Sequence, residues 1–111
     1  MKTGRYMMNS RDMRTYKKIS YQDVQGLEKS GIAFVLFERK GKDVTREVAL
    51  DFDGNPLILY PSARCKEQFR GFFDGRPVEN SFGSAISKSR FELVWKRAEE
   101  MERLGLLRSS F

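Results

Sequence analysis

The pattern of hydrophobic and polar positions predicts three consecutive β-strands in the middle of the chain. Residues 32–39 (IAFVLFER) begin with six apolar residues in succession and are rich in β-formers, which is typical of a strand buried on both faces. Residues 43–52 alternate between polar and apolar instead, so we expect a strand with one solvent-exposed face. A tight turn at 40–42 separates these two strands. After a second turn, residues 57–60 (LILY) form the third strand.

The Asp-Gly pair at positions 53–54 predicts how the second and third strands are joined. A type I′ hairpin turn requires positive φ at both central residues, and Asp-Gly is among the pairs that accommodate it. With this pair as the loop, Leu50 lies opposite Leu57 and Val48 lies opposite Leu59, which keeps the apolar faces in register. The segments therefore predict a three-stranded antiparallel meander with the second strand in the middle.

A short helix over residues 21–30 is expected before the strands. Ser20 as the N-cap, with Asp23 three residues later, is a variant of the capping box. Gly31 is suited to the left-handed position that ends many helices. Residues 1–18 are rich in Arg and Lys and have no clear hydrophobic period. We interpret them as a basic flexible arm that precedes a single domain over residues 19–108.

Two further helices are expected after the strands. Pro61-Ser62 would end the third strand and cap the first of these helices, because its apolar positions recur at helical spacing. Those positions are Cys65, Phe69, Phe72 and Phe73. The predicted fold class is therefore α+β, with the element order α-β-β-β-α-α.

The last helix has the clearest boundaries. Ser89 and Glu92 form a capping box, although a start nearer Ser84 also fits, and Gly105 closes the helix with Leu106 packing back. The polar face is expected to carry two i,i+4 ion pairs, Glu92–Lys96 and Glu99–Arg103. The apolar stripe consists of Phe91, Val94, Trp95, Ala98 and Met101.

Composition argues against several functional classes. The chain has no His and one Cys, Cys65, which leaves zinc without a plausible ligand set and removes the commonest general base. An internal disulfide is impossible, and the N-terminus has no signal-peptide hydrophobic region, so a cytoplasmic protein is expected. No apolar run approaches the roughly 18 residues that span a bilayer. We expect no cofactor, no metal and no membrane contact.

The stretch VALDFDGNPL, residues 48–57, resembles the first motif of the haloacid dehalogenase superfamily. In that family one Asp of the D-x-D sequence is phosphorylated and the next handles a proton. The family's motif follows a buried parallel strand and usually continues with Thr, whereas residues 44–47 alternate and Asn55 stands at the Thr position. The family also requires a late acidic pair that places magnesium, but the only Asp after Asp53 is Asp74. We interpret the stretch as a hairpin and predict that the protein is not an enzyme.

The order helix, three strands, helix over residues 20–73 resembles the double-stranded RNA-binding domain. In that family a Lys-rich start of the last helix contacts phosphates. This chain has SARCK at 62–66, where the family has a Lys-Lys-x-Ala-Lys run, and many small α+β folds share the same element order. The resemblance implies Arg64 and Lys66 as candidate phosphate contacts.

Charge favours a polyanion as the partner. The chain has 21 Lys+Arg and 15 Asp+Glu, a net charge of +6, and such an excess attracts nucleic acid or an acidic protein over long range. Basic residues are concentrated in the arm and in the turn between the first two strands, whereas acids balance bases on the last helix. We predict a small nucleic-acid-associated regulator whose arm and turn contact phosphates. The predicted contacts are Arg11, Arg14, Lys17, Lys18, Arg39, Lys40, Lys42, Arg64 and Lys66.

The alternative is a protein–protein interaction module, an adaptor or inhibitor that covers a partner's surface. The small size and the lack of a catalytic constellation favour it. The last helix offers Trp95 and Met101 for a seam between two copies, so a homodimer is one expected form. Co-purification that survives nuclease treatment would favour this alternative over nucleic-acid binding.

Overall fold

A five-stranded antiparallel sheet forms the centre of the molecule. The computed structural model describes residues 13–62 and 71–108. The strands are β1 (Arg14–Ser20), β2 (Phe34–Lys40), β3 (Asp43–Leu50), β4 (Pro56–Tyr60) and β5 (Ser84–Ala85), in the spatial order β4-β3-β2-β1-β5. A 3₁₀ turn covers Glu28–Ser30, and the α-helix of the described residues, α1, covers Lys88–Arg103.

The predicted arrangement of elements is wrong, although the class remains α+β. The prediction was a three-stranded meander with one N-terminal and two C-terminal helices, and it omits β1 and β5. Within the described residues only the last predicted helix is present. The sheet is therefore wider than expected, and one helix cannot cover both of its faces.

β1 lies inside the segment that we interpret as a flexible arm. It pairs with β2 along its whole length. Tyr16 and Ile19 are buried on opposite faces of the sheet, and Lys17 between them is buried as well. The domain boundary predicted at residue 19 therefore falls within a strand, and residues 1–12 lie outside the described part of the chain.

The segment from residue 21 to residue 31 is a series of turns and not the predicted helix. One of the two expected capping bonds is present, since Ser20 N donates to Asp23 Oδ2 at 2.9 Å, whereas Asp23 N donates to the backbone oxygen of Ser20 at 2.9 Å and not to its hydroxyl. No helix follows them, because Gly26 adopts a φ of 97°, a left-handed conformation that interrupts a right-handed helix. Gly31 has the predicted left-handed conformation, with a φ of 76°, but it ends a 3₁₀ turn.

The D-x-D-G stretch forms a hairpin, with a longer loop than predicted. β3 and β4 are antiparallel, and Val48 lies opposite Leu59 as expected, but Leu50 lies opposite Pro56 because the register shifts after residue 49. The loop is closed by Asp51, whose Oδ1 accepts from Asp53 N at 2.9 Å and from Asn55 N at 2.8 Å. The carboxylate takes the place of backbone acceptors, as Asp side chains commonly do in turns.

β3 does not have the predicted solvent-exposed face. Its last four residues, 47–50, are all buried, because both faces of the sheet are covered. The alternation in the sequence is also broken by a β-bulge: Arg46 pairs with Glu38 and Val44 pairs with Arg39, which leaves Thr45 as the extra residue. A bulge turns the residues before it to the opposite face, and Val44 therefore packs on the side of the sheet that faces away from α1.

The segment 71–83 covers the side of the sheet opposite α1. Residues 63–70 lie outside the described residues, so the structure says nothing of Cys65 and Phe69 in the predicted second helix. Residues 71–75, which hold Phe72 and Phe73, are turns. Val78 N donates to Lys42 O at 2.8 Å and fixes this segment to the β2–β3 turn.

α1 begins two residues before the first predicted start. Ser87 is its N-cap and accepts from Arg90 N at 3.1 Å. Its end is the predicted one: Gly105 has a φ of 75°, and Leu106 N donates to Met101 O at 2.9 Å, which is the bond of a Schellman motif. The predicted pairs on the polar face are replaced, since Glu92 pairs with Arg46 and Arg103 pairs with Glu100.

Two separate hydrophobic cores hold the sheet, one on each face. The helix-side core consists of Tyr16, Leu36, Val48, Leu50, Leu59, Phe91, Trp95 and Ala98. The loop-side core consists of Ile19, Leu27, Ile32, Val35, Phe37, Ala49, Ile58, Phe73 and Val78. Over the ranges 13–62 and 71–108, no helix has the length and apolar character needed to cross a bilayer.

Candidate nucleic-acid interface

A groove lies between the N-terminal half of α1 and the sheet. Its volume is about 690 Å³, within the range of roughly 300–1,000 Å³ that is usual for ligand sites. Leu36 and Leu50 at its floor are buried, and Phe34, Ile86 and Val94 at its walls are half-buried. The groove therefore presents an apolar interior at the edge of the helix-side core.

Three basic side chains, Lys18, Arg90 and Arg97, line this groove, and no Asp or Glu is among the described residues that line it. None of the three belongs to an ion pair within the described residues. Lys18 Nζ lies 5.0 Å from the centroid of the Phe34 ring, and Arg97 Nη2 donates to Asn55 Oδ1 at 2.7 Å. Cations without carboxylates in a concave surface of low dielectric give a focused positive potential.

The helix places two of these cations on one side. Arg90, Val94 and Arg97 are separated by four and three positions, so they share a face of α1. The stripe that packs on the sheet is the neighbouring one, formed by Phe91, Trp95 and Ala98. Arg90 and Arg97 are absent from the contacts predicted from the sequence, although their spacing of seven on a helix is a signal that they share a face.

Arg46 fixes α1 to the sheet beside the groove. Its Nη2 donates to Glu38 Oε2 at 2.7 Å and to Glu92 Oε2 at 2.6 Å. Its guanidinium lies 4.9 Å from the ring centroids of both Phe91 and Trp95. Charge-assisted hydrogen bonds and cation–π contacts act together here, so the register of α1 on β3 is tightly defined.

The charges around Arg46 are strongly coupled. Burial by itself would raise the pKa of Glu38, but hydrogen bonds from Arg46 and Thr45 outweigh burial and hold that pKa at about 2. The hydrogen bond from Arg46 also lowers the pKa of Glu92. Burial, followed by the nearby Glu38 carboxylate, raises the pKa of Tyr16. Glu38 and Glu92 are therefore ionised at neutral pH, and their two negative charges outweigh the single positive charge of Arg46, which adds nothing to the positive potential of the groove.

Two of the predicted phosphate contacts are buried on the other face of the sheet. Lys17 is 9% exposed and its Nζ donates to Asn80 O at 2.5 Å. Arg39 is 5% exposed, and its Nη1 donates to Asn80 Oδ1 at 2.8 Å and to Thr15 Oγ1 at 3.3 Å. Their partners are neutral oxygens of the protein itself, and their burial keeps them from phosphates in this conformation.

The other predicted contacts are not brought together. Lys40 and Lys42 lie in the β2–β3 turn, at the far end of β2 from Phe34, and Lys42 pairs with Glu79 at 3.2 Å. Arg14 Nε lies 3.9 Å from Glu38 Oε2. Arg11, Arg64 and Lys66 lie outside the described residues. Of the nine predicted cations, Lys18 is the one that the structure places in the groove.

A second cavity, of about 550 Å³, lies on the other face of the sheet. Phe72, Val78 and Phe82 give it an apolar lining, and Arg76 and Glu79 stand at its edge. Charges of both signs therefore border this cavity, and it lacks the one-sided potential of the groove.

Glu47 is buried beside that second cavity. Its side chain accepts from Phe72 N at 2.6 Å and from Phe73 N at 3.3 Å. Burial raises its pKa to about 7, although the two N–H donors lower it in part. Gly71 permits this approach, because a Cβ at that position, where φ is 81°, would lie 2.6 Å from Glu47 Oε2.

In the part of the chain that the structure describes, no group of three or more His, Cys, Asp or Glu side chains is placed to hold a metal ion. Asp51, the first aspartate of the D-x-D-G stretch, is engaged as the acceptor that closes the hairpin loop.

Comparison with known proteins adds no family. No family model, no curated protein and no solved structure matches this chain. The functional argument therefore depends on the geometry and charge of the groove.

Proposed function

We propose that this protein is a non-enzymatic nucleic-acid-binding protein that contacts phosphates in the groove between α1 and the sheet. The observation that carries the proposal is the set of three basic side chains, Lys18, Arg90 and Arg97, without an acidic neighbour among the described residues that line the groove. The net charge of +6 supports it, because long-range attraction brings a polyanion to such a surface. A regulatory role in the cytoplasm is part of the proposal.

The basic residues that precede β1 and the β2–β3 turn become secondary contacts in this proposal. Lys40 is exposed in that turn and is available to a nucleic acid that extends beyond the groove. Lys17 and Arg39 are not included, because both are buried and hydrogen-bonded to Asn80.

We expect single-stranded DNA to bind with a strong dependence on salt. Three phosphate contacts give a slope of log K against log salt of about −2, because each contact to a single strand contributes roughly −0.7. Replacing Arg90 with Gln should reduce the slope by roughly 0.7, and the further replacement Lys18→Gln should reduce it by as much again. The measurement is fluorescence anisotropy of a labelled oligothymidylate between about 50 and about 200 mM salt.

Matched variants separate the groove from the overall charge. Lys29→Gln removes the same charge from an exposed position within the 3₁₀ turn, and it should leave the slope unchanged. Lys40→Gln removes one charge from the β2–β3 turn, and it should reduce the slope less than Arg90→Gln does because this contact is secondary. If Lys29→Gln weakens binding as much as Arg90→Gln does, the groove is not the site. If no nucleic acid binds at low salt, the proposed function is wrong.

A protein partner is the second candidate function, supported by exposed apolar side chains on and after α1. Leu93, Leu104 and Leu106 are 71%, 56% and 63% exposed. Trp95 was predicted to lie in a homodimer seam, but it is buried against the sheet and stacks on Phe91, so it is not available to a second copy. A hydrodynamic mass above 12.9 kDa that persists after nuclease treatment would favour this candidate.

A further inference from the structure

The floor of the groove is apolar beneath its cations. Among the residues that line the groove, Leu36 and Leu50 are buried and Ile86 is half-buried, whereas Arg90 is exposed. Phosphates need the cations alone and have no favourable contact with an apolar floor. The bases of a duplex are paired and stacked, so they cannot enter such a groove, whereas the bases of a single strand can.

Phe34 is the aromatic surface of the groove. It is half-buried, and its ring is met by the ammonium of Lys18 at 5.0 Å from the centroid. The Lys18 ammonium covers this face of the ring, so a base reaches the face only when the ammonium moves away. A nucleobase can take the position over the ring while the ammonium follows the phosphate, since both are within the reach of one Lys side chain.

We propose that the groove binds single-stranded nucleic acid, with one unpaired base against Phe34 and the neighbouring phosphates at Lys18, Arg90 and Arg97. This inference rests on the proposed function and narrows it to one class of nucleic acid. The apolar floor and the aromatic ring select the base, and the three cations hold the backbone on either side of it.

The wild-type protein provides the first test. The probes are an oligothymidylate of roughly ten nucleotides, an abasic strand of the same length and a duplex of the same length. At equal salt the oligothymidylate should bind about tenfold more tightly than the abasic strand, because stacking on an aromatic side chain is lost without bases. It should also bind more tightly than the duplex. Equal affinity for all three probes would overturn the inference.

The second test replaces the ring. Phe34→Leu should weaken oligothymidylate binding by about tenfold and leave both the abasic strand and the salt slope unchanged. Phe52→Leu is the matched control, because Phe52 is 54% exposed and packs on Tyr21 in a different part of the surface. Thermal unfolding of each variant shows whether it is folded, and the abasic strand, which needs only the cations, shows whether the groove is intact.

The outcomes separate the two proposals. Binding to none of the probes removes the proposed function together with the inference. Salt-dependent binding that is the same for the abasic strand and the oligothymidylate keeps the proposed function and overturns the inference. A further competitor is an acidic peptide with the same net charge as the oligothymidylate. If this peptide displaces labelled oligothymidylate as effectively as unlabelled oligothymidylate does, both proposals are wrong and a protein partner is favoured.

Discussion

Replacing Arg46 with Met is expected to lower the free energy of unfolding by about 3–5 kcal/mol, the usual cost of leaving one member of a buried ion pair alone. Met keeps much of the volume between Phe91 and Trp95, so the loss of charge is the main change. Glu38, which is 4% exposed, would keep hydrogen bonds from Thr45, at 2.6 Å, and from Tyr16, but its nearest cation would be Arg14, whose Nε lies 3.9 Å away. A buried carboxylate without a close cation is strongly disfavoured, and urea denaturation at neutral pH measures the loss.

The double variant Arg46→Met, Glu38→Gln is the control for this interpretation. Removing both charges should recover most of the stability, because the cost comes from the carboxylate that remains. The single variant should also lose less stability at acid pH than at neutral pH, since protonation of Glu38 removes the same charge. The loss of a surface ion pair lowers the free energy of unfolding by less than about 1 kcal/mol. If Arg46→Met lowers it by no more than that, Arg46 does not hold α1 on the sheet.

Glu47→Gln is expected to make the protein more stable above neutral pH. The pKa of Glu47 is raised in the folded state, from 4.5 to about 7, so the folded protein holds its proton more tightly than the unfolded chain does. The stability that this proton provides is complete below about pH 4.5 and is lost as the pH rises through about 7. A shift of this size corresponds to about 3 kcal/mol, which wild type loses over that range and the Gln variant does not.

The comparison of the two proteins isolates Glu47 from other carboxylates. Glu38 has a lowered pKa of about 2, so the stability that it provides is lost only as the pH falls below about 4.5. Urea denaturation of both proteins at about pH 5 and about pH 8 gives the difference directly. Glu79→Gln is the matched control at an exposed site and should show little change. Parallel pH profiles for wild type and Glu47→Gln would contradict the raised pKa.

The sequence predicted the elements whose signals are local. The six apolar residues of 32–37 indicated β2, the alternation of 43–52 indicated β3, and the D-x-D-G stretch indicated the hairpin to β4. Gly105 and Leu106 indicated the Schellman motif at the end of α1. These features depend on neighbouring residues along the chain, and their physical causes are the same in any fold.

The elements that the sequence missed depend on distant partners. The sequence did not predict β1, because a lysine such as Lys17 is expected to face solvent. In the structure Lys17 is buried and its Nζ donates to Asn80 O. The helix predicted over 21–30 failed at Gly26, whose positive φ no periodicity reveals. Because of the bulge at Thr45, Val44 in the first half of β3 faces the opposite side of the sheet from Val48 in the second half. Each of these is a tertiary effect that overrides a local pattern.

The sequence did not predict where the candidate site lies. A count of charges indicated a polyanion, but it could not show which cations are neutralised within the fold. Glu92 was assigned to Lys96, four residues away, and the structure pairs it instead with Arg46, which is 46 positions distant. Arg90 and Arg97 were regarded as part of a balanced helix surface, although they face a groove that no acidic residue of the described chain lines.

The most direct test of the central claim is to follow the backbone amide chemical shifts of the protein while a single-stranded oligothymidylate is added. Binding in the groove predicts changes at Lys18, at Phe34 and along α1 from Ser87 to Arg97. The amides of the β2–β3 turn, which is only a secondary contact, and those of the segment from Val78 to Phe82 should change less than the amides of the groove. Changes confined to either of those two regions, or no change at saturating oligothymidylate in low salt, would contradict the assignment of this groove as the nucleic-acid interface.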